Sequence, residues 1–241
     1  MAPRSGKQRS PRRRKAPVSR LSAALQALRK LYGWPESEPA RGPFELLLYE
    51  NIAYLASDAR REEAFRLLRE RTGLSPNGVL AAAPATLREA ASRGIVPDQT
   101  VEKLRAIAAI TLEDFGGDLE EVIRRPVPEA LKALRKFPSI GEPGAQKILL
   151  FCRREPFLAL DSNGLRVLLR LGYGKEDKSY ARSYRSAQEA ADAELQRDCG
   201  VRIEAHLLLR RHGQELCRRS QPRCEICPLR RGCAFARSRE L

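Results

Sequence analysis

Four of the six cysteines crowd into the last 25 residues, as Cys217, Cys224, Cys227 and Cys233 in the stretch CRRSQPRCEICPLRRGC. Four thiolates brought together on an irregular loop can hold one soft metal centre, either zinc or an iron–sulfur cluster. Structural zinc usually takes two short-spaced pairs joined by a dozen or more residues. Here a single CxxC is flanked by lone cysteines at gaps of six and five. The loop also carries Arg218, Arg219, Arg223, Arg230 and Arg231. Guanidinium groups on a rigid loop grip phosphates, whereas on a mobile loop they would only keep it solvated. Cys152 and Cys199 stand outside the motif and read as small apolar residues of the interior.

Two carboxylates and one turn could also do chemistry. Asp161 lies between the apolar stretch 157–160 and a new apolar-periodic run, ordinarily the place of a helix N-cap. Glu50, with Asn51, interrupts an otherwise apolar stretch from Leu46 to Ala56. Flanked at helical spacing by Leu46, Leu47, Ala53 and Tyr54, its carboxyl is expected to be desolvated and its pKa raised toward general-acid use. The alternative is the solvated edge of an amphipathic helix. Residues 134–150, LRKFPSIGEPGAQKILL, read as a helix, a turn through Ser139-Ile140-Gly141, and a new helix opening at Glu142-Pro143. Gly141 permits a backbone that turns amides outward, and Pro143 suits a first helical turn. Amides exposed at a helix N-terminus bind phosphate without reading sequence, although such a turn is also a common helix–helix connection.

The elements that must position these groups are helices. Apolar residues recur at three- and four-residue spacing over 19–32, 43–57, 59–72, 98–113, 127–136, 143–153, 161–171, 179–198 and 201–216. Gly33-Trp34-Pro35, Ser75-Pro76-Asn77-Gly78, Gly94, Gly116-Gly117, Pro126 and Pro128 punctuate them. No stretch alternates as a strand, so the fold class is all-α. The formal charge is +15, of which residues 1–20 supply +8 and the remainder +7, from 37 basic and 30 acidic residues. Such a surface attracts polyanions, because each neutralised phosphate releases a counterion. The Pro-, Ser- and Arg-rich residues 1–18 predict a disordered basic tail. No apolar run approaches the ~20 residues of a membrane span, and residues 1–20 lack the apolar segment of a secretory signal. The expectation is a soluble, intracellular protein with no membrane partner.

Taken together, the order hairpin, aspartate, four cysteines resembles the helix-hairpin-helix DNA glycosylase superfamily, in the branch of endonuclease III, MutY and the thymine–guanine mismatch glycosylases. The likeness extends over roughly residues 20–235. It implies that Cys217, Cys224, Cys227 and Cys233 hold a 4Fe–4S cluster, and that Ser139, Ile140, Gly141 and Gly144 contact DNA through a hairpin usually written LPGVG. Ser139 stands where that pattern has its first glycine. Asp161 matches the family's catalytic aspartate, which stabilises positive charge on the deoxyribose. The lyases of the endonuclease III branch carry a lysine where this chain has Pro143; Lys147 lies one helical turn further on and Lys136 precedes the hairpin. Glu50 falls where MutY and the mismatch enzymes place a functional glutamate, and Asn163 matches the asparagine of the MutY DGN motif. Tyr54 and Leu55 stand where relatives probe the opposite base with polar side chains, and Leu55 would act as an apolar wedge. Arg218, Arg219 and Arg223 are expected to meet the DNA backbone.

The resemblance implies two helical domains with DNA in the cleft between them. A six-helix barrel over 40–155 contains the hairpin; 19–39 and 156–241 form an iron–sulfur cluster domain with the cluster loop at 217–233. The implied function is a monomeric, cytoplasmic, nucleoid-associated bacterial base-excision DNA-repair glycosylase. It would act on double-stranded DNA containing a damaged or mismatched base, flipping the base and hydrolytically removing it without lyase chemistry. Two alternatives remain: an endonuclease III-like glycosylase/AP lyase for damaged pyrimidines, and a non-catalytic iron–sulfur DNA-binding protein.

Overall fold

The structure is a computed structural model, and it describes residues 19–238. The basic tail expected over 1–18 lies outside the described residues. Among the described residues every regular element is helical: α1 (Arg20–Tyr32), α2 (Gly42–Asn51), α3 (Asp58–Thr72), α4 (Pro76–Ala81), α5 (Pro84–Ala91), α6 (Pro97–Phe115), α7 (Leu119–Arg124), α8 (Val127–Leu134), α9 (Glu142–Phe151), α10 (Ser162–Leu171), α11 (Tyr180–Asp192), α12 (Cys199–Glu215) and α13 (Ala234–Arg237), with two 3-10 turns in the cysteine loop. The start signals are local. Ser19, Ser57, Asp118, Asp161 and Asp198 accept from backbone amides of the first turns of α1, α3, α7, α10 and α12. α3 and α6 stop at left-handed Gly73 and Gly116.

The apolar faces close two separate cores. One, built from α2 to α9, includes Leu47, Phe65, Leu104 and Ile148. The other joins α1 to the chain after residue 157, through Leu21, Leu28, Leu168 and Leu208. α10 packs tightly on α12: a side chain at Gly213 would stand 2.8 Å from Cβ and O of Asn163. Among the described residues, no helix is long and apolar enough to cross a membrane.

Two of the expected helices are shorter than the periodicity suggests. The one expected over 43–57 ends at Asn51, and residues 52–55 turn away. Gly94 presses on that turn, so that a Cβ there would lie 2.9 Å from the Tyr54 amide, and Leu55 takes a left-handed φ of 54°. The helix expected to reach residue 198 ends at Asp192. The carbonyls that would continue it accept instead from buried Arg202, which also pairs with the Asp192 carboxylate. α4, α5 and α7, of six to eight residues, went unread because too few turns exist to show a period.

Candidate active site

Asp161 caps α10. Its Oδ1 accepts from the Gly164 amide at 2.7 Å and its Oδ2 from Asn163 Nδ2 at 3.1 Å. Asn163 is itself held, its Oδ1 accepting from Arg166 Nη2 at 2.8 Å. Arg166 also donates to the carbonyls of Gly213 and Cys217, which ties the aspartate's helix to the start of the cysteine loop. Asp161 is therefore both a cap and a fixed, partly exposed carboxylate.

Glu50 ends α2, and its Oε1 accepts from Lys147 Nζ of α9 at 2.7 Å. Lys147 is almost fully buried and donates at 2.6 Å to Glu38 Oε1, from the connection between α1 and α2. Glu38 Oε1 also lies 3.7 Å from Nη1 of Arg210, on α12. Arg210 in turn pairs with Asp58 and stands 3.5 Å from Asp161 Oδ2 through its Nε. A continuous ionic chain, Glu50–Lys147–Glu38–Arg210–Asp161, thus links the two carboxylates singled out in the sequence. Its three bridging residues come from α9, the α1–α2 connection and α12, and sequence reasoning missed Glu38 and Arg210, as it did Asp58 beside them. The composition holds many Arg and Glu, and nothing local distinguishes these from solvated charges.

That chain corrects one expectation. Burial alone would raise the Glu50 pKa, but the Lys147 charge and hydrogen bond outweigh it, and the carboxyl titrates below its ordinary value. Glu50 is held as a carboxylate and not poised as an acid. Burial would likewise lower the Lys147 pKa, but Glu38 and Glu50 raise it above the ordinary value, so the amine stays an ammonium.

The hairpin connects α8 to α9. Ser139, in the place of the first glycine, adopts the left-handed conformation that glycine would, with φ 61°. Gly141 does not need its freedom: it caps α9 with extended backbone (φ −85°, ψ −171°). No side chain caps α9, so the amides opening that helix remain available to a phosphate. Pro143 sits in the first turn as expected, and Gly144 packs against Ile140. Asn51 Nδ2 donates to the Pro138 carbonyl at 3.2 Å, fastening the end of α2 to the hairpin. Beyond Asn51, Tyr54 and Leu55 are 55% and 69% exposed, an apolar tip beside exposed Ile95.

The cysteine loop closes on the second core. Cys217, Cys224, Cys227 and Cys233 all line one small pocket, with Arg170, His212 and Leu229. Among the described residues, no three His, Cys, Asp or Glu side chains are drawn together as a ligand set. The donor chemistry nevertheless fits a soft metal centre: four sulfurs, apolar walls, and Arg170 Nη1 placed 3.4 Å from Cys217 Sγ. Burial and the neighbouring thiols push the Cys227 thiol up to about 11, so thiolates here call for a cation. Arg218, Arg219 and Arg223 are exposed around this cavity. Cys152 and Cys199 lie half-buried elsewhere.

A hairpin with an open helix N-terminus, a capped aspartate and a four-cysteine loop are thus set on two helical cores. No family model matches the chain. It is 27% identical over 206 residues to endonuclease III of Thermotoga maritima, covering 86% of this chain and 89% of that protein. It is 28% identical over 164 residues to the thymine/uracil-DNA glycosylase of Pyrobaculum aerophilum, covering 64% and 71%. Its fold matches a trapped endonuclease III–DNA covalent intermediate (TM-score 0.73, 20% identity, 94% of this chain and 100% of that chain) and a thermostable thymine-DNA glycosylase (TM-score 0.71, 18% identity, 90% and 95%). In sequence and in fold the chain is thus similar to DNA glycosylases of the endonuclease III and thymine-DNA glycosylase kind.

Proposed function

We propose that this protein is a monofunctional base-excision DNA glycosylase, which hydrolyses the N-glycosidic bond of a damaged or mismatched base in double-stranded DNA. The observation that carries this reading is the ionic chain joining Glu50 to Asp161 beside an open helix N-terminus. A protein that only docks on DNA needs no pair of tethered carboxylates. The hairpin amides and the exposed Arg218, Arg219 and Arg223 hold the phosphate backbone, and Leu55 wedges into the stack as the target nucleotide is flipped out. Asp161, fixed through both oxygens, stabilises the cationic sugar and directs water to it. Asn163 keeps that carboxylate oriented. Glu50, as an anion on Lys147, positions groups around the departing base.

Cys217, Cys224, Cys227 and Cys233 would hold a 4Fe–4S cluster, which supplies rigidity to the arginine loop and takes no part in bond breaking. The relatives' names span both endonuclease III and thymine/uracil-DNA glycosylase. Two observations favour hydrolysis without strand cleavage: Pro143 has no amine, and Lys147 is an ammonium clamped by two carboxylates. An amine lacking a free electron pair does not attack the sugar. Reaction with a lesion-bearing duplex should therefore leave an intact abasic strand that breaks only on later alkali treatment, and borohydride should trap little covalent adduct. Efficient trapping that disappears in Lys147→Ala would replace this reading by the glycosylase/lyase one.

A further inference from the structure

α12 ends beside the cysteine loop, and His212 in its last turn is buried, only 1% exposed. Both of its ring nitrogens have partners. Nδ1 lies 3.1 Å from the hydroxyl of Tyr32, the last residue of α1, and Nε2 lies 3.5 Å from Cys227 Sγ. The backbone of the same residue also serves the loop, its carbonyl accepting from the Cys217 amide at 2.8 Å. His212 thus meets the loop at its first cysteine and at its third, and it lines the small pocket that all four share.

These contacts decide where the ring proton sits. A tyrosine hydroxyl can give its proton to Nδ1, and the neutral imidazole then carries its own proton on Nε2, toward the sulfur. That arrangement suits a metal-bound thiolate, which offers only lone pairs; a bare Nε2 would set a further lone pair against it. Packing alone does not call for histidine at this position. A leucine would fill a comparable space without two buried polar atoms that need partners. Arg170 approaches a second sulfur of the set, with Nη1 3.4 Å from Cys217 Sγ, but its guanidinium also serves the carbonyls of Arg218 and Arg219.

We propose that His212, held in its Nε2–H tautomer by Tyr32, donates a hydrogen bond to Cys227 Sγ when the four cysteines hold their iron–sulfur cluster, and that this bond raises the cluster's reduction potential. The proposal rests on the cluster reading above. A hydrogen bond to a cysteine sulfur draws electron density from the thiolate, so the form carrying one more electron gains more from it than the form carrying one fewer. No proton changes hands. The N–H stays on the imidazole in both forms, and the electron comes from, and returns to, an external donor. His212 is in this sense a positioning residue: it acts through Cys227 and takes no part in breaking the glycosidic bond.

The test uses the full-length protein carrying its cluster. The chain holds two histidines, His206 and His212, and His206 is engaged elsewhere, its Nδ1 2.9 Å from the Ala159 carbonyl. Protein with ¹⁵N in its histidines alone, cryoreduced in frozen solution, should show ¹⁵N hyperfine coupling to the unpaired electron spin, and His212→Leu should abolish it. Film voltammetry of the same proteins reads the potential. It should be lower in His212→Leu than in the wild type, and His212→Gln should recover part of the difference through its own N–H. Tyr32→Phe should lower it by less than His212→Leu does. Wild-type protein without histidine ¹⁵N coupling overturns the assignment, whether or not the variants keep their clusters. So does a leucine variant that keeps both its cluster and the wild-type potential. Protein that holds zinc, or iron without acid-labile sulfide, would instead overturn the cluster reading itself.

Discussion

In the proposed function, Asp161 serves as both a helix cap and a charge, and its two oxygens divide the work. Capping uses Oδ1 toward the Gly164 amide, while Oδ2 faces Asn163 and Arg210. Asparagine caps a helix about as well as aspartate, so Asp161→Asn should leave folding and DNA affinity intact. It removes the negative charge, and single-turnover excision should fall by at least about 10²-fold, as when one transition-state stabilising group is lost. Near-normal turnover would reduce Asp161 to a cap and revive the non-catalytic DNA-binding reading. Glu50 shows the opposite lesson: its apolar neighbours suggested an acid, and one buried ammonium made it a carboxylate.

In the proposed function, the hairpin between α8 and α9 and the cysteine loop between α12 and α13 are the elements that present the protein to DNA. In the hairpin, the strained position is Ser139 and not Gly141. Ser139→Val should destabilise the DNA-free protein by about 1–2 kcal/mol, because a β-branched residue fits left-handed backbone poorly; Ser139→Gly should not. Denaturant midpoints measure both, and equal stability of the valine variant would contradict the left-handed turn. The cysteine loop has little regular structure of its own beyond two 3-10 turns, so its order depends on what the four sulfurs hold. Purified protein should be brown, with about four iron and four acid-labile sulfide per chain. Cys224→Ser should deplete iron and loosen the region after residue 217. Stoichiometric zinc in protein made under iron-replete anaerobic conditions would exclude the cluster.

At the scale of the whole molecule, net charge sets how strongly the chain meets a polyanion. Residues 1–18 hold seven Lys and Arg and no acid, so their removal lowers the formal charge from +15 to +8. DNA affinity of the full chain should fall steeply with salt, and the truncated chain should show a shallower log–log slope and weaker non-specific binding. Base excision at saturating enzyme should be unchanged, since Asp161, Glu50 and Lys147 all lie outside residues 1–18. Loss of excision on truncation would mean that the tail belongs to the site.

The sequence by itself determined what is local. Helix periodicity, the cap at Asp161, the hairpin and the 6-2-5 cysteine spacing are set by neighbours within a few turns, so they are legible along the chain itself. The all-helical class and the likeness to a glycosylase followed from those. Only the tertiary structure decided where α2 and α11 stop, because Gly94 and Arg202 act from other segments. It alone decided the charge state of Glu50, through a lysine 97 residues away, and joined that lysine to Glu38, 109 residues from it, and Glu38 to Arg210 of α12. Buried charges stabilise one another only in contact, and that contact is made when the two cores close on each other, not along the chain.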